Sequence, residues 1–132
     1  MPQPRDPRAY LWDVQEAARA IRNFTRGLDA DAYAGNALVQ AAVERKFEII
    51  GEAPSQLSKQ DAGMAARIPH AAQVVAFRNL LIHGYAAVHV RRVWEVVEND
   101  LPQLEASVAR LQAEIYGRQR SGGETPREGD EA

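Results

Sequence analysis

The chain has no cysteine. That excludes disulfide staples, thiolate metal sites and a cysteine nucleophile, and it fits a reducing compartment, so a cytoplasmic protein is expected. Long apolar runs are also missing, and none approaches the roughly 20 residues that a helix needs to cross a bilayer. The start, Met1-Pro2-Gln3-Pro4-Arg5-Asp6-Pro7, lacks the basic-then-apolar order of a signal peptide. No membrane association is expected. An excess of positive charge is absent as well: 16 Lys+Arg against 18 Asp+Glu give a formal net charge of -2, so any contact with RNA must come from a local patch. There is no internal repeat, no useful strand-like alternation, and no Asn-Gly or Asp-Gly hairpin signal. The three histidines, His70, His83 and His89, form no His-x-x-x-His pair beside a carboxylate cluster, so neither a metal nor a cofactor is expected.

What remains is a series of helices. With 132 residues and 45% hydrophobic content the chain suits one domain with its own core. Asp6-Pro7 reads as an N-cap followed by proline at the first helical position, and Tyr10/Leu11, Val14, Ala17/Ala18, Ile21, Phe24 and Leu28 then recur at helical spacing, with a stop near Gly27. Residues 29–36 are small and turn-compatible. Asn36 can cap a second helix whose apolar residues, from Leu38 to Leu57, lie on more than one face, which predicts a central helix, kinked at Pro54.

Residues 58–68 read as a polar connection with room for one helical turn. Pro69 can open a third helix reaching His83, with Gly84 as its stop. The fourth segment has the clearest period: Val90, Trp94, Val97, Leu101, Leu104, Val108, Leu111 and Ile115 advance in steps of four and three, a heptad-like seam that keeps its phase through Pro102. A single kinked helix is expected there, although Asp100 could also cap a restart. Residues 117–132 lack apolar anchors and read as a disordered tail, leaving 1–116 as the domain. The expected architecture is all-α, an up-down bundle of four to five helices, with enough apolar surface left over on the first and last helices for a homodimer.

The most informative run is Phe77-Arg78-Asn79-Leu80-Leu81-Ile82-His83-Gly84-Tyr85. It sets a fixed cation, a titratable imidazole and a phenol into an apolar stretch, groups suited to phosphate binding, proton transfer and covalent modification. An unpaired guanidinium in so apolar a helix is costly. Two arrangements avoid that cost: Arg78 pairs with Glu48 or Glu52 on the second helix, or it lines a wet groove that admits a phosphate. Asn79 and His83, four apart, share a helix face, while Arg78 lies about 140° from His83, near enough to flank one groove but not to stack. The bland reading of His83 is a favourable charge at a helix C-terminus. His70 and His89 read as solvated. Arg67, Arg91 and Arg92 could form a positive rim but also read as plain surface, and Trp12 and Trp94 read as core.

The segment Arg78 to Tyr85 fits the R-x4-H-x-Y signature of HepT-like toxins, a branch of the HEPN superfamily of small helical proteins. Residues 45–53, Arg-Lys-Phe-Glu-Ile-Ile-Gly-Glu-Ala, resemble that family's second-helix block, and 93–102, Val-Trp-Glu-Val-Val-Glu-Asn-Asp-Leu-Pro, its last-helix block. The resemblance runs from about Tyr10 to Ile115. It implies a homodimer in which two motif helices face each other and form one ribonuclease site acting on RNA, with Arg78 and His83 as the functional pair and Asn79 beside them. It also implies a minimal nucleotidyltransferase antitoxin of the MntA type, which transfers AMP from ATP to Tyr85. Pro54, and His89 where relatives often place an aspartate cap, depart from the pattern without removing a motif residue. Two other readings of the same residues stand beside this one: a non-catalytic helical dimer that docks a nucleotidyltransferase, and a structural bundle in which Arg78 only closes an ion pair.

Overall fold

A computed structural model describes residues 5–68, 71–83 and 86–123. The described residues are helical, with no strand among them. Helix α1 spans Pro7–Thr25, α2 Ala30–Ala34, α3 Ala37–Gln60, α4 Ala62–Ala66, α5 Ala71–Ile82, α6 Ala86–Glu95 and α7 Leu101–Gly123, with a π-helical turn at Val96–Asp100 joining α6 to α7. The all-α expectation holds. The short α2 fills a stretch that read as turn-compatible and α4 is the helical turn allowed for within residues 58–68; each has an aspartate N-cap to satisfy its first amides: Asp29 accepts from Ala32 N at 2.8 Å and Asp61 from Met64 N at 3.0 Å.

The helix starts behave as their residue types dictate. Asp6 accepts the Arg8 amide at 2.9 Å, with Pro7 at the position where no amide partner is needed. The chain leaves α1 through Gly27 at φ 78, a left-handed conformation that glycine adopts without a Cβ clash. Asn36 Oδ1 accepts from Val39 N at 3.0 Å, capping α3. Asn36→Ala should therefore lower stability by about 1 kcal/mol, read as a lower denaturation midpoint with an unchanged denaturant slope.

Helix α3 is central, packing along α1 on one side and α5 on another, while α7 packs along α1. It continues unbroken through Pro54 to Gln60, further than the sequence reading carried it. Tyr10 Oη donates to Gln60 Oε1 at 3.4 Å, and Arg22 pairs with Glu105 at 2.8 Å. The start of α1 thus lies beside the end of α3, and its end beside the start of α7, so both neighbours run antiparallel to it.

The heptad seam is buried along its length: Trp94, Val97, Leu101, Leu104, Val108 and Leu111 all lie in the core, with Val90 and Ile115 packed against it. A helical course continues through Pro102, as the period requires. The π turn, closed by Leu101 N–H on Val96 O, widens the helix just before the proline, whose ring would otherwise press on the carbonyl four residues back. Helix α7 runs to Gly123, six residues past Gly117, where the tail was expected to begin.

Two burial expectations need correction. Trp12, expected in the core, is 54% exposed, because it stands on the side of α1 that neither α3 nor α7 covers. Helix α5, expected to be buried on most sides, buries Phe77 and Leu81 but leaves Leu80 43% and Ile82 49% exposed. Trp94 is buried and stacks against Tyr33 with ring centroids 5.2 Å apart. The Tyr33 hydroxyl has no hydrogen-bond partner among the described residues, and burial, assisted by Glu44, raises its pKa.

Candidate active site

Helix α5 presents two different faces. Phe77 and Leu81 turn inward, Phe77 meeting Phe47 edge-on at 5.1 Å. One residue further round, Arg78 leans onto α3. Its Nη2 donates to Glu52 Oε2 at 2.8 Å, so of the two candidate acids on α3 the partner is Glu52; Glu48 instead pairs with Arg45 at 2.9 Å. On the opposite side of α5, Gln73, Ala76, Asn79, Leu80 and His83 are all exposed. Their spacing of three and four makes one continuous stripe.

Arg78 can approach α3 so closely because position 51 is glycine. A Cβ there would sit 2.4 Å from Arg78 Cβ and 2.8 Å from its Cδ, well inside contact distance. Gly51→Ala should push α5 from α3 and cost about 1–3 kcal/mol, in the range of other overpacked sites. Thermal denaturation checks this, and an unchanged midpoint would contradict the close approach.

Both readings of Arg78 are thus partly realised. It forms the intrachain ion pair, and it also lines an open groove of about 420 Å³ between the start of α1, α3 and α5. The groove carries three arginines, Arg5, Arg45 and Arg78, and three carboxylates, Asp13, Glu48 and Glu52. Each arginine has its own acid, Arg5 pairing with Asp13 at 2.6 Å. The guanidinium of Arg78 is not saturated: Nη1 reaches Asn79 Oδ1 only at 3.5 Å, and Nε is buried with no partner among the described residues.

Within one chain the motif residues are not gathered into one place. His83 closes the last turn, its amide on Asn79 O at 3.1 Å, and is exposed on the outer stripe with Asn79. It is not among the residues lining the groove that holds Arg78. Tyr85 and His70 lie outside the described residues, as does the side chain of His89. The positive rim is largely neutralised, since Arg67 pairs with Glu114, and Arg92 with Glu95 at 3.3 Å. Among the described residues no three His, Asp or Glu side chains gather as metal ligands, and no helix is long and apolar enough to cross a membrane. Residue types alone did not pick out Gly51 or Gln56; the close Arg78 approach and the hydrogen bond to Glu52 did.

The model of the family described as "Ribonuclease HepT-like" matches residues 14–111. The chain belongs to that family. The match takes in α3, α5 and the segment from Arg78 to Tyr85, and it agrees with the resemblance drawn from the three sequence blocks. Among curated relatives, "Putative RNase MJ1380" of Methanocaldococcus jannaschii is 32% identical over 79% of this chain and 94% of its own length. "Putative RNase MJ1216" of the same organism is 30% identical over 86% of this chain and 93% of its own. "Probable ribonuclease HepT" of Thermococcus cleftensis is 34% identical over 81% and 96%. No solved structure matches the chain.

Proposed function

We propose that this HepT-like protein is a cytoplasmic, metal-independent endoribonuclease, the toxin of a toxin–antitoxin pair. Its active site is shared between two copies of the chain. The observation that carries this reading is the ribonuclease-family match across residues 14–111, which contains Arg78, Asn79, His83 and Tyr85. Two structural features support the shared site. Arg78 and His83 leave α5 on different sides, so a single chain offers the phosphate a cation and a proton carrier in different places. The stripe bearing His83 is also exposed and partly apolar, the kind of face that a second α5 can cover.

The substrate 2′-hydroxyl is the nucleophile. One His83 takes its proton as O2′ bonds to phosphorus, and the two-fold-related His83 protonates the departing O5′, leaving a 2′,3′-cyclic phosphate and a free 5′-hydroxyl. Arg78 holds the phosphate and stabilises charge growing on its non-bridging oxygens. Asn79, on the same face as His83, lines the approach. A nucleotidyltransferase antitoxin silences the site by transferring AMP from ATP to the Tyr85 oxygen with release of pyrophosphate, which places a bulky anion in the phosphate subsite and repels RNA.

The test compares purified protein with and without AMP on Tyr85, in a chelator, on single-stranded RNA. The unmodified protein should yield cyclic phosphate ends and the modified protein should be at least tenfold slower. Equal rates would rule out the silencing step, and no cyclic ends would rule out the 2′-hydroxyl route. One observation favours the non-catalytic docking reading: the groove carries as many carboxylates as arginines, a balance that suits a protein partner better than a polyanion. Under that reading the unmodified protein leaves RNA intact.

A further inference from the structure

We propose that Glu52, itself held by Gln56, is the positioning residue that fixes the guanidinium of Arg78 for phosphate, and that it does so at a cost in RNA affinity. The inference rests on the ribonuclease reading above. Three features on two helices converge on it. Gly51 lets the stem of Arg78 lie directly on the α3 backbone, where an added Cβ would stand 2.4 Å from Arg78 Cβ, so the stem is confined on that side. Glu52 Oε2 then accepts Nη2 at 2.8 Å. The other carboxylate oxygen, Oε1, accepts from Gln56 Nε2 at 2.6 Å. One oxygen is held within α3, one helical turn running from Glu52 to Gln56, and the other meets Arg78 of α5, so the carboxylate plane is fixed from both helices.

This grip differs from a saturating bidentate pair. A carboxylate set against the Nε–Nη2 edge would occupy the fork that best recognises phosphate. Here no partner among the described residues meets Nε, and Nη1 meets only Asn79 at the limit of hydrogen bonding. Glu52 thus orients the cation through Nη2, Nε stays buried, and the donors left for a substrate are those of Nη1. Its charge, however, stands beside the place where a phosphate must sit, and like charges in a groove repel.

Those two effects have opposite signs in kinetics, which makes the role testable. Glu52→Gln keeps the shape and removes the charge. Cleavage of a fluorophore–quencher single-stranded RNA of mixed sequence should show kcat lowered about tenfold, as loss of orientation in a reacting site does. The Kd for the same strand made non-cleavable by 2′-O-methylation should fall several-fold. Gln56→Ala, which frees the carboxylate without removing it, should lower kcat in the same direction while leaving Kd close to wild type.

An unchanged kcat in folded Glu52→Gln protein overturns the proposal, as does a parallel loss of kcat, affinity and melting temperature, the pattern of a merely structural ion pair. Arg78→Ala run in parallel separates the two levels. If it cleaves as wild type, the ribonuclease reading and this inference both fall; if it is inactive while Glu52→Gln turns over normally, only this inference falls.

Discussion

Replacing Arg78 with alanine should lower RNA cleavage about a hundredfold or more while leaving the fold nearly as stable as before. The catalytic side of this expectation follows from its place: the only α5 cation is also a groove residue, whose Nη1 meets only Asn79, at the limit of hydrogen bonding. Removing a cation that stabilises charge growing on a phosphoryl group costs on the order of 3 kcal/mol. The stability side follows from exposure. Glu52 is 43% exposed and Arg78 26%, so water screens their attraction, and such pairs contribute about 0–1 kcal/mol. A pair sealed in the core would behave differently, since its loss costs about 3–5 kcal/mol.

His83→Ala should match the loss of cleavage with an even smaller change in melting temperature, because the imidazole is on the exposed stripe. Arg78→Lys should recover only part of the rate, since an ammonium reproduces the charge but not the planar fork. Initial cleavage rates and thermal melts on the same preparations check all three. A drop in stability of about 3 kcal/mol with cleavage unaffected would instead make Arg78 a structural residue.

Much of this arrangement was legible in the sequence because helices write their geometry into residue spacing. Asp6 and Asn36 announced two helix starts by chemistry that only a few side chains can perform, and the seam from Val90 to Ile115 kept its phase because one face of α6, the π turn and α7 stays against the core. What spacing cannot express is the neighbour. Glu48 and Glu52 lie four apart on the same face of α3, so either could have met Arg78. The choice was settled by Gly51, which sets the level at which α5 crosses, and by Arg45, which claims Glu48. Trp12 failed for the same reason: its position on α1 is apolar in pattern, yet no helix among the described residues covers it. The angular separation of Arg78 and His83, by contrast, was fixed by the helical period alone; that the two would flank one groove was not, since His83 is not among the residues lining the groove that holds Arg78.

The exposed stripe of α5 carries the other large expectation. Leu80 stands among Gln73, Ala76, Asn79 and His83 at helical spacing and has no buried place in one chain, whereas the exposed Ile82 lines the groove on the Arg78 side. If two α5 helices cover each other along this stripe, small Ala76 permits close approach and Leu80 supplies the apolar contact, bringing both copies of His83 to the same cleft. Glutamate at position 80 would then bury a charge at the seam, and two-fold symmetry counts the damage twice, once for each chain. Burial of one leucine side chain is worth about 1.5–3 kcal/mol, so Leu80→Glu should weaken dimerisation by at least about a hundredfold, since each 1.4 kcal/mol is a factor of ten. Cleavage should fall with it, although Arg78, Asn79 and His83 are untouched. Light scattering coupled to size exclusion, across a dilution series, measures the first effect and the RNA assay the second. A wild-type chain that stays monomeric at every concentration, or a Leu80→Glu variant that remains dimeric and active, would place the second copy elsewhere and remove the reason for sharing one site between two helices.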